Sequence, residues 1–312
     1  MTSLTRIPVR DDDLAMWCAK HLGSPPIARL FQRGHLSTVI GLRLENGRQV
    51  VVKIRPESPR LDACLAVQRQ LWSRGYPCPQ PLAGPVALAG GLANAESYIS
   101  GGSQLPPDPD KPRLFAAALA QLVAWAPNPT TLPPLKPTLP WVGWDHEGDA
   151  LWPPADDRHA DLNTQHDLAW LDEVGQRVRA RLLRHHLPLV TGHADWESQN
   201  LGWHQRRLLV VHDWDSIVAQ PEAAIAGAAA AVFTRTDPPL TEPTIEESAA
   251  FLASYADSRG RPWTTDECEV CWAAGLWVRT FDTKLIALDE PETESLRTLQ
   301  TEVEERLRRA GA

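Results

Sequence analysis

The segment from Val39 to Ile54 most constrains what this chain can fold into. Val39 to Leu44 alternates apolar with small or polar residues, Asn46-Gly47 follows, and Gln49 to Ile54 is rich in Val. Alternation puts every second side chain on one face of a sheet, and Asn-Gly takes the positive φ values of a two-residue hairpin. The segment therefore predicts antiparallel β structure near the N-terminus. Residues 1–22 read as a short helix, with Leu14, Trp17, Cys18 and His21 at helical spacing. After the hairpin, Leu61, Leu65, Val67, Leu71 and Trp72 form a helical pattern that Gly75 stops. Short strand-like pieces broken by Pro and Gly then run to Gly101-Gly102.

Past Gly102 the pattern turns helical. DPDKPRLFAAALAQLVAW and Gln165 to His186 read as helices, separated by a proline-rich connector from Pro127 to Pro140. That connector is stiff and extended, and is either a surface loop or a lid over a cleft. Two short β pieces are expected around Leu189 to Leu201 and Leu208 to Asp213, and helices from there to Ala312. The expected class is α+β, with two lobes at residues 1–100 and 101–312. A length of 312 residues suffices for both.

Composition removes several function classes. The net charge is −8, from 31 basic and 39 acidic residues, so a global basic footprint for nucleic acid is absent. No apolar run reaches the ~18 residues of a membrane span. The Ala-rich stretch from Ala223 to Val232 fits a buried helix instead. The charged start MTSLTRIPVRDDDLAMW lacks the apolar run of a secretion signal, so a soluble, cytoplasmic chain is expected. Five scattered cysteines argue against a disulfide framework. Cys268-x-x-Cys271 lies in a helical pattern without a second pair, and reads as two inert thiols rather than a redox or zinc site.

The chemistry concentrates between Leu189 and Ser216, LVTGHADWESQNLGWHQRRLLVVHDWDS. Asp195 and Asn200 are five apart in a loop between apolar β-like residues, and Asp213 ends the run LLVVHDWD. One amide and one carboxylate oxygen, from Asn200 and Asp213, can hold a hard cation such as Mg²⁺. Asp195 between them can orient and deprotonate a hydroxyl. No GxxxxGK[ST] phosphate loop, HExxH or GxSxG is present.

This layout resembles the aminoglycoside phosphotransferase family, which shares the bilobal protein-kinase-like fold. The family string His-Gly-Asp-x-x-x-x-Asn, followed by an apolar strand ending in Ile-Asp-Trp-Glu/Asp, is met here by His193, Asp195 and Asn200, then Asp213-Trp214-Asp215. Ala194 replaces the family's glycine, small for small. Val50-Val51-Val52-Lys53-Ile54 resembles the strand whose lysine binds the nucleotide's α- and β-phosphates. A lysine in an apolar strand otherwise needs an edge open to water, since an unpaired buried ammonium is costly. The turn Gln32 to Thr38 falls where the family covers the nucleotide, with Ser37 positioned for phosphate. Glu96 to Gly101 resembles the hinge, where backbone groups of Ser97 and Ile99 would meet the purine.

One departure is plain. The helix after the lysine strand usually carries a glutamate that pairs with the lysine, and Cys64 stands at that place. Either nearby Asp62 substitutes, or phosphate alone holds Lys53. His193 is read as a support for the loop. Asp215 is either a partner behind the metal ligands or a substrate contact, and Trp196 and Trp214 are either core or stacking surfaces. The resemblance implies transfer of the γ-phosphate of ATP or GTP, with Mg²⁺, to a hydroxyl of a small molecule. Aminoglycoside-like antibiotics and amino sugars or amino alcohols are the acceptor classes. Cationic acceptors call for acids, and Asp282, Asp289 and Glu290 are candidates. The competing reading is a catalytically silent, nucleotide-binding regulatory protein, a pseudokinase.

Overall fold

Pro26–Arg33 (β1), Thr38–Leu44 (β2), Gln49–Arg55 (β3), Pro81–Leu88 (β4) and Gly91–Ser97 (β5) form one antiparallel sheet in the order β1-β2-β3-β5-β4. The computed structural model describes residues 7–34, 37–155, 160–164, 168–236 and 241–312. The hairpin turns at Asn46-Gly47, but over three residues, Glu45 to Gly47, closed by Leu44 N–H on Arg48 C=O, with Gly47 alone of the three at positive φ, 83°. The alternation of β3 is functional in its consequences. Val50, Val52 and Ile54 are buried on one face, against Leu14, Trp17 and Cys18 of the helix Asp11–Leu22 (α1). The opposite face carries Val51, Lys53 and Arg55.

The helix Leu61–Ser73 (α2) crosses that second face. Its Ala63, Cys64, Val67 and Leu71 join the larger hydrophobic core, not the one under α1. Gly75, at φ 79°, ends the chain's helical course there. The larger core is built on Lys111–Trp125 (α3), Ala169–Leu182 (α4), Glu222–Ala230 (α5), Ile245–Arg259 (α6), Thr265–Ile286 (α7) and Glu294–Ala310 (α8). Thr244 with Glu247, and Thr264 with Glu267, form reciprocal caps that start α6 and α7. The Ala-rich stretch is the buried helix α5, so tightly set against α7 that a Cβ on Gly227 would lie 1.9 Å from the Cys271 carbonyl oxygen.

The region read as two β pieces holds four strands in two ladders. Leu189–His193 (β6) pairs with Ile217–Pro221 (β9), and Leu201–His204 (β7) pairs with Arg207–Val211 (β8). β9 was not expected, since five residues without turn signals leave no periodicity to read. The proline-rich connector proves to be a buttress beneath this region. Pro127 C=O accepts from Thr191 Oγ1 at 2.6 Å, and Val142 C=O accepts from Gln220 Nε2 at 2.7 Å. Cys268 and Cys271 lie on α7, one exposed and one buried, and burial pushes the Cys271 thiol well up, which keeps it protonated. Among the described residues no helix is long and apolar enough to cross a membrane.

Candidate active site

The two ladders explain how distant residues meet. In the β7–β8 hairpin Leu201 is opposite Val211, so Asn200 and His212 face each other at its open end. His212 N–H donates to Asn200 C=O at 2.8 Å, and Asp213 follows at once. In the β6–β9 ladder His193 is opposite Ile217, and Ala194 N–H donates to Ser216 C=O at 2.8 Å. The ladders thus bring Asp195, Asn200 and Asp213 to one place.

His193 is the strut of the loop. It is fully buried, and burial pushes its imidazole down to about 4. Nδ1 accepts from Asp195 N–H at 3.2 Å, which leaves Nε2 to donate to His212 C=O at 3.0 Å. This neutral tautomer ties the Asp195 side of the site to the Asp213 side. Trp196 and Trp214 pack edge-on against the ring and are buried, which makes them core. Trp141 reaches up from the proline-rich segment to donate Nε1–H to Ala194 C=O at 3.2 Å.

Asn200 Nδ2 donates to Asp195 Oδ2 at 2.7 Å and to its backbone carbonyl at 3.1 Å. That fixes one oxygen of Asp195 and leaves Oδ1 for an incoming group. With Nδ2 engaged as the donor, Asn200 Oδ1 is the amide's acceptor. Burial, then the neighbouring Glu197 and Asp213 carboxylates, push the Asp195 carboxyl well above its ordinary value. Burial and Asp215 push Asp213 to about 7. Burial first, and neighbouring carboxylates second, thus oppose ionisation of this pair. Oxygen donors from Asn200 and Asp213 fit a hard divalent cation that takes its remaining ligands from phosphate and water. No group of three or more His, Cys, Asp or Glu set for a metal exists among the described residues.

Lys53 is buried and has a protein partner that sequence reading missed. Its Nζ lies 3.1 Å from Glu96 Oε1. Neither Asp62 nor phosphate alone is needed. Lys53 on β3 is opposite Asn94 on β5, so Glu96, two residues along, shares its face within diagonal reach. The helix α2 contributes Gln68 instead, whose Nε2 donates to Glu96 Oε2 at 3.0 Å. Burial works against the Lys53 ammonium, but Glu96, Asp213 and Asp215 outweigh it and hold it above its ordinary value. An acid on the strand LANAES, at a position that alternates with the buried Ala93 and Ala95, was the available clue. Two buried opposite charges in neighbouring strands need each other.

The other expected contacts are distributed unevenly. Ser37 is half-buried beside Gly34, whose Cβ position lies 1.9 Å from Ser37 C=O, so only glycine fits this turn. His35 and Leu36 of the same turn lie outside the described residues. Ser97 N–H is taken by Gln80 C=O at 2.9 Å, and Ser97 Oγ accepts from Gln80 N–H. Tyr98 N–H goes to Gln49 C=O. The amide of Ser97 is thus committed to the sheet, whereas that of Ile99 has no hydrogen bond to a described residue. Of the three acids on the C-terminal side, Asp289 and Glu290 are exposed, and only Asp282 reaches the site. Arg235 joins it there. Its Nη1 lies 3.4 Å from Glu197 and 2.5 Å from Asp282, and its other nitrogens grip Glu242.

A family model described as phosphotransferase enzyme family matches residues 27–239. No curated protein sequence matches significantly. Among solved structures, the amicoumacin kinase hAmiN, in complex with AMP-PNP, Ca²⁺ and Ami, superposes with a TM-score of 0.62 at 13% identity, over 89% of this chain and 87% of that one. Spectinomycin phosphotransferase APH(9)-Ia, with ADP and spectinomycin, gives 0.59 at 12%, over 97% and 94%. A Plasmodium vivax ethanolamine kinase gives 0.55 at 12%, over 89% and 81%. The fold is the bilobal, protein-kinase-like α+β fold of these enzymes.

Proposed function

The chain belongs to the phosphotransferase enzyme family, and we propose that it moves the γ-phosphate of ATP or GTP to a hydroxyl of a small, amine-bearing molecule. The nucleotide lies between residues 1–100 and 101–312, with Lys53 and the Ser37 turn at its phosphates and the Ile99 amide at its purine edge. Asn200 and Asp213 would hold Mg²⁺, which when bound neutralises the charge on the transferring phosphate. Asp195 Oδ1 takes the acceptor's hydroxyl proton, while Asn200 holds Oδ2 in place. The observation that carries this reading is the Asn200–Asp195 contact at 2.7 Å, set beside Asp213 by the two ladders.

The amine preference rests on Glu197 and Asp282. Both share one guanidinium nitrogen of Arg235, and burial holds both carboxyls above their ordinary values. An acceptor ammonium would relieve that surplus. The silent reading has lost its support, because Glu96 supplies the lysine partner. A phosphotransfer screen over aminoglycosides, amino sugars and amino alcohols, with Mg-ATP and Mg-GTP in parallel, tests the proposal. Each accepted amine is rerun as its N-acetyl form. Losing a charged hydrogen bond should lower kcat/KM by about tenfold or more. Equal turnover of the two forms would remove the amine preference, and no transfer to any hydroxyl would remove the proposal.

A further inference from the structure

The turn that carries Asp213 is held from outside its own segment. Asp213 sits at φ 62°, ψ 52°, a left-handed conformation that is costly for a residue with a Cβ. Local contacts are few: Ser216 N–H donates to Asp213 C=O at 3.0 Å, and Ser216 Oγ to Asp213 Oδ2 at 3.2 Å. Beyond Ala194 N–H on Ser216 C=O, the His193 bond to His212 C=O and the packing of Trp214, further contacts come from β3 and the start of α2. Arg55 Nη2 lies 3.1 Å from Asp215 Oδ1. Arg60 donates to Ile217 C=O, and the Cys64 thiol lies 3.6 Å from Asp215 C=O. Arg55 follows Lys53 by two residues, so one strand face presents both cations to the turn.

We propose that Arg55 is a positioning residue for phosphoryl transfer. Through Asp215 it clamps the Asp213 turn to β3, so that one strand fixes both Lys53 and Asp213. It also neutralises Asp215, which would otherwise compete with Glu96 and phosphate for Lys53. Cys64 stands where a helix glutamate would be, and there its thiol meets the clamped turn while Glu96 serves the lysine. The inference rests on the phosphotransfer reading, because only that chemistry requires a fixed spacing between Lys53 and Asp213.

The test uses the full chain and the variants Arg55→Met, Arg55→Lys, Asp215→Asn and the Arg55→Met/Asp215→Asn pair. Amide hydrogen exchange over residues 212–217 is read without nucleotide, and kcat and KM are read on an accepted substrate. Arg55→Met and Asp215→Asn should each speed exchange there, and should each lower kcat, by about tenfold or more. KM for the acceptor should stay within about twofold. The pair variant should be no worse than the worse single one, because the two side chains act as one unit. Arg55→Lys, which keeps the charge, should recover part of both losses. Unchanged exchange in Arg55→Met overturns the clamp, as do losses that multiply in the pair variant or faster exchange with kcat intact. Exchange needs no substrate, so a failed clamp is distinguishable from a wild type that transfers no phosphate.

Discussion

His193 shows how burial alone can fix a residue's role. Its imidazole, ordinarily near 6.5, is held at about 4 in the fold, so it stays neutral while accepting from Asp195 N–H. The unfolded chain binds this proton more readily. The stabilising contribution is therefore complete above pH 6.5, and is lost as pH falls from there toward 4. Its full size is about 3 kcal/mol. Urea unfolding of the wild type and His193→Asn at pH 7 and at pH 4.5 checks this. The stability gap between them should narrow by most of that amount at the lower pH, and a constant gap would contradict the neutral strut. The motif residues Asp195, Asn200 and Asp213 were legible at this scale because polar groups at fixed spacing interrupt apolar runs. Glu96 was not, because its partner lies on a neighbouring strand and the register is set by tertiary pairing, not by local pattern. Asp282 was named from the sequence, but its meeting with Glu197 on Arg235 was invisible for the same reason, since these acids lie 47 and 38 positions from the arginine.

Elements with strong periodicity were readable and close-packed ones were not. The Val39–Ile54 hairpin and the helix after it appear nearly where the pattern puts them. The proline-rich segment reads as a surface loop or a lid because stiffness is readable from proline and attachment is not. Its hydrogen bonds to Thr191, Ala194 and Gln220 make it a support under the active loop. The α5–α7 contact is similar. A glycine in an alanine helix weakens it, yet Gly227 serves the close approach of α5 to α7. Alanine there gains about 1 kcal/mol of helix propensity. The added Cβ, however, meets the backbone of α7 at Cys271, which cannot rotate away. Overpacking of this kind costs about 1–3 kcal/mol or more. Gly227→Ala should therefore lower stability by about 2 kcal/mol net, seen as a lower urea midpoint. A gain in stability would show that the two helices are not in contact as described.

At the scale of the molecule, a sheet that holds Lys53, Glu96 and Arg55 meets a helical body that holds Asp195, Asn200 and Asp213. Neither half contains a complete phosphate-transfer site. Apolar burial of α2 in the helical core and charge both join them: the Lys53 and Arg55 cations face the Asp213 and Asp215 carboxylates across the junction. The central claim is that Asp195 acts on the acceptor hydroxyl and not on nucleotide binding. It is tested most directly by following the γ-phosphate label of Mg-ATP onto an accepted amino alcohol or amino sugar with wild type and Asp195→Asn. Calorimetry on the same samples measures nucleotide affinity. The account predicts labelled acceptor from the wild type, transfer lowered by about 10²–10⁴-fold in the variant, and nucleotide affinity within about threefold. Transfer by Asp195→Asn at the wild-type rate would contradict it.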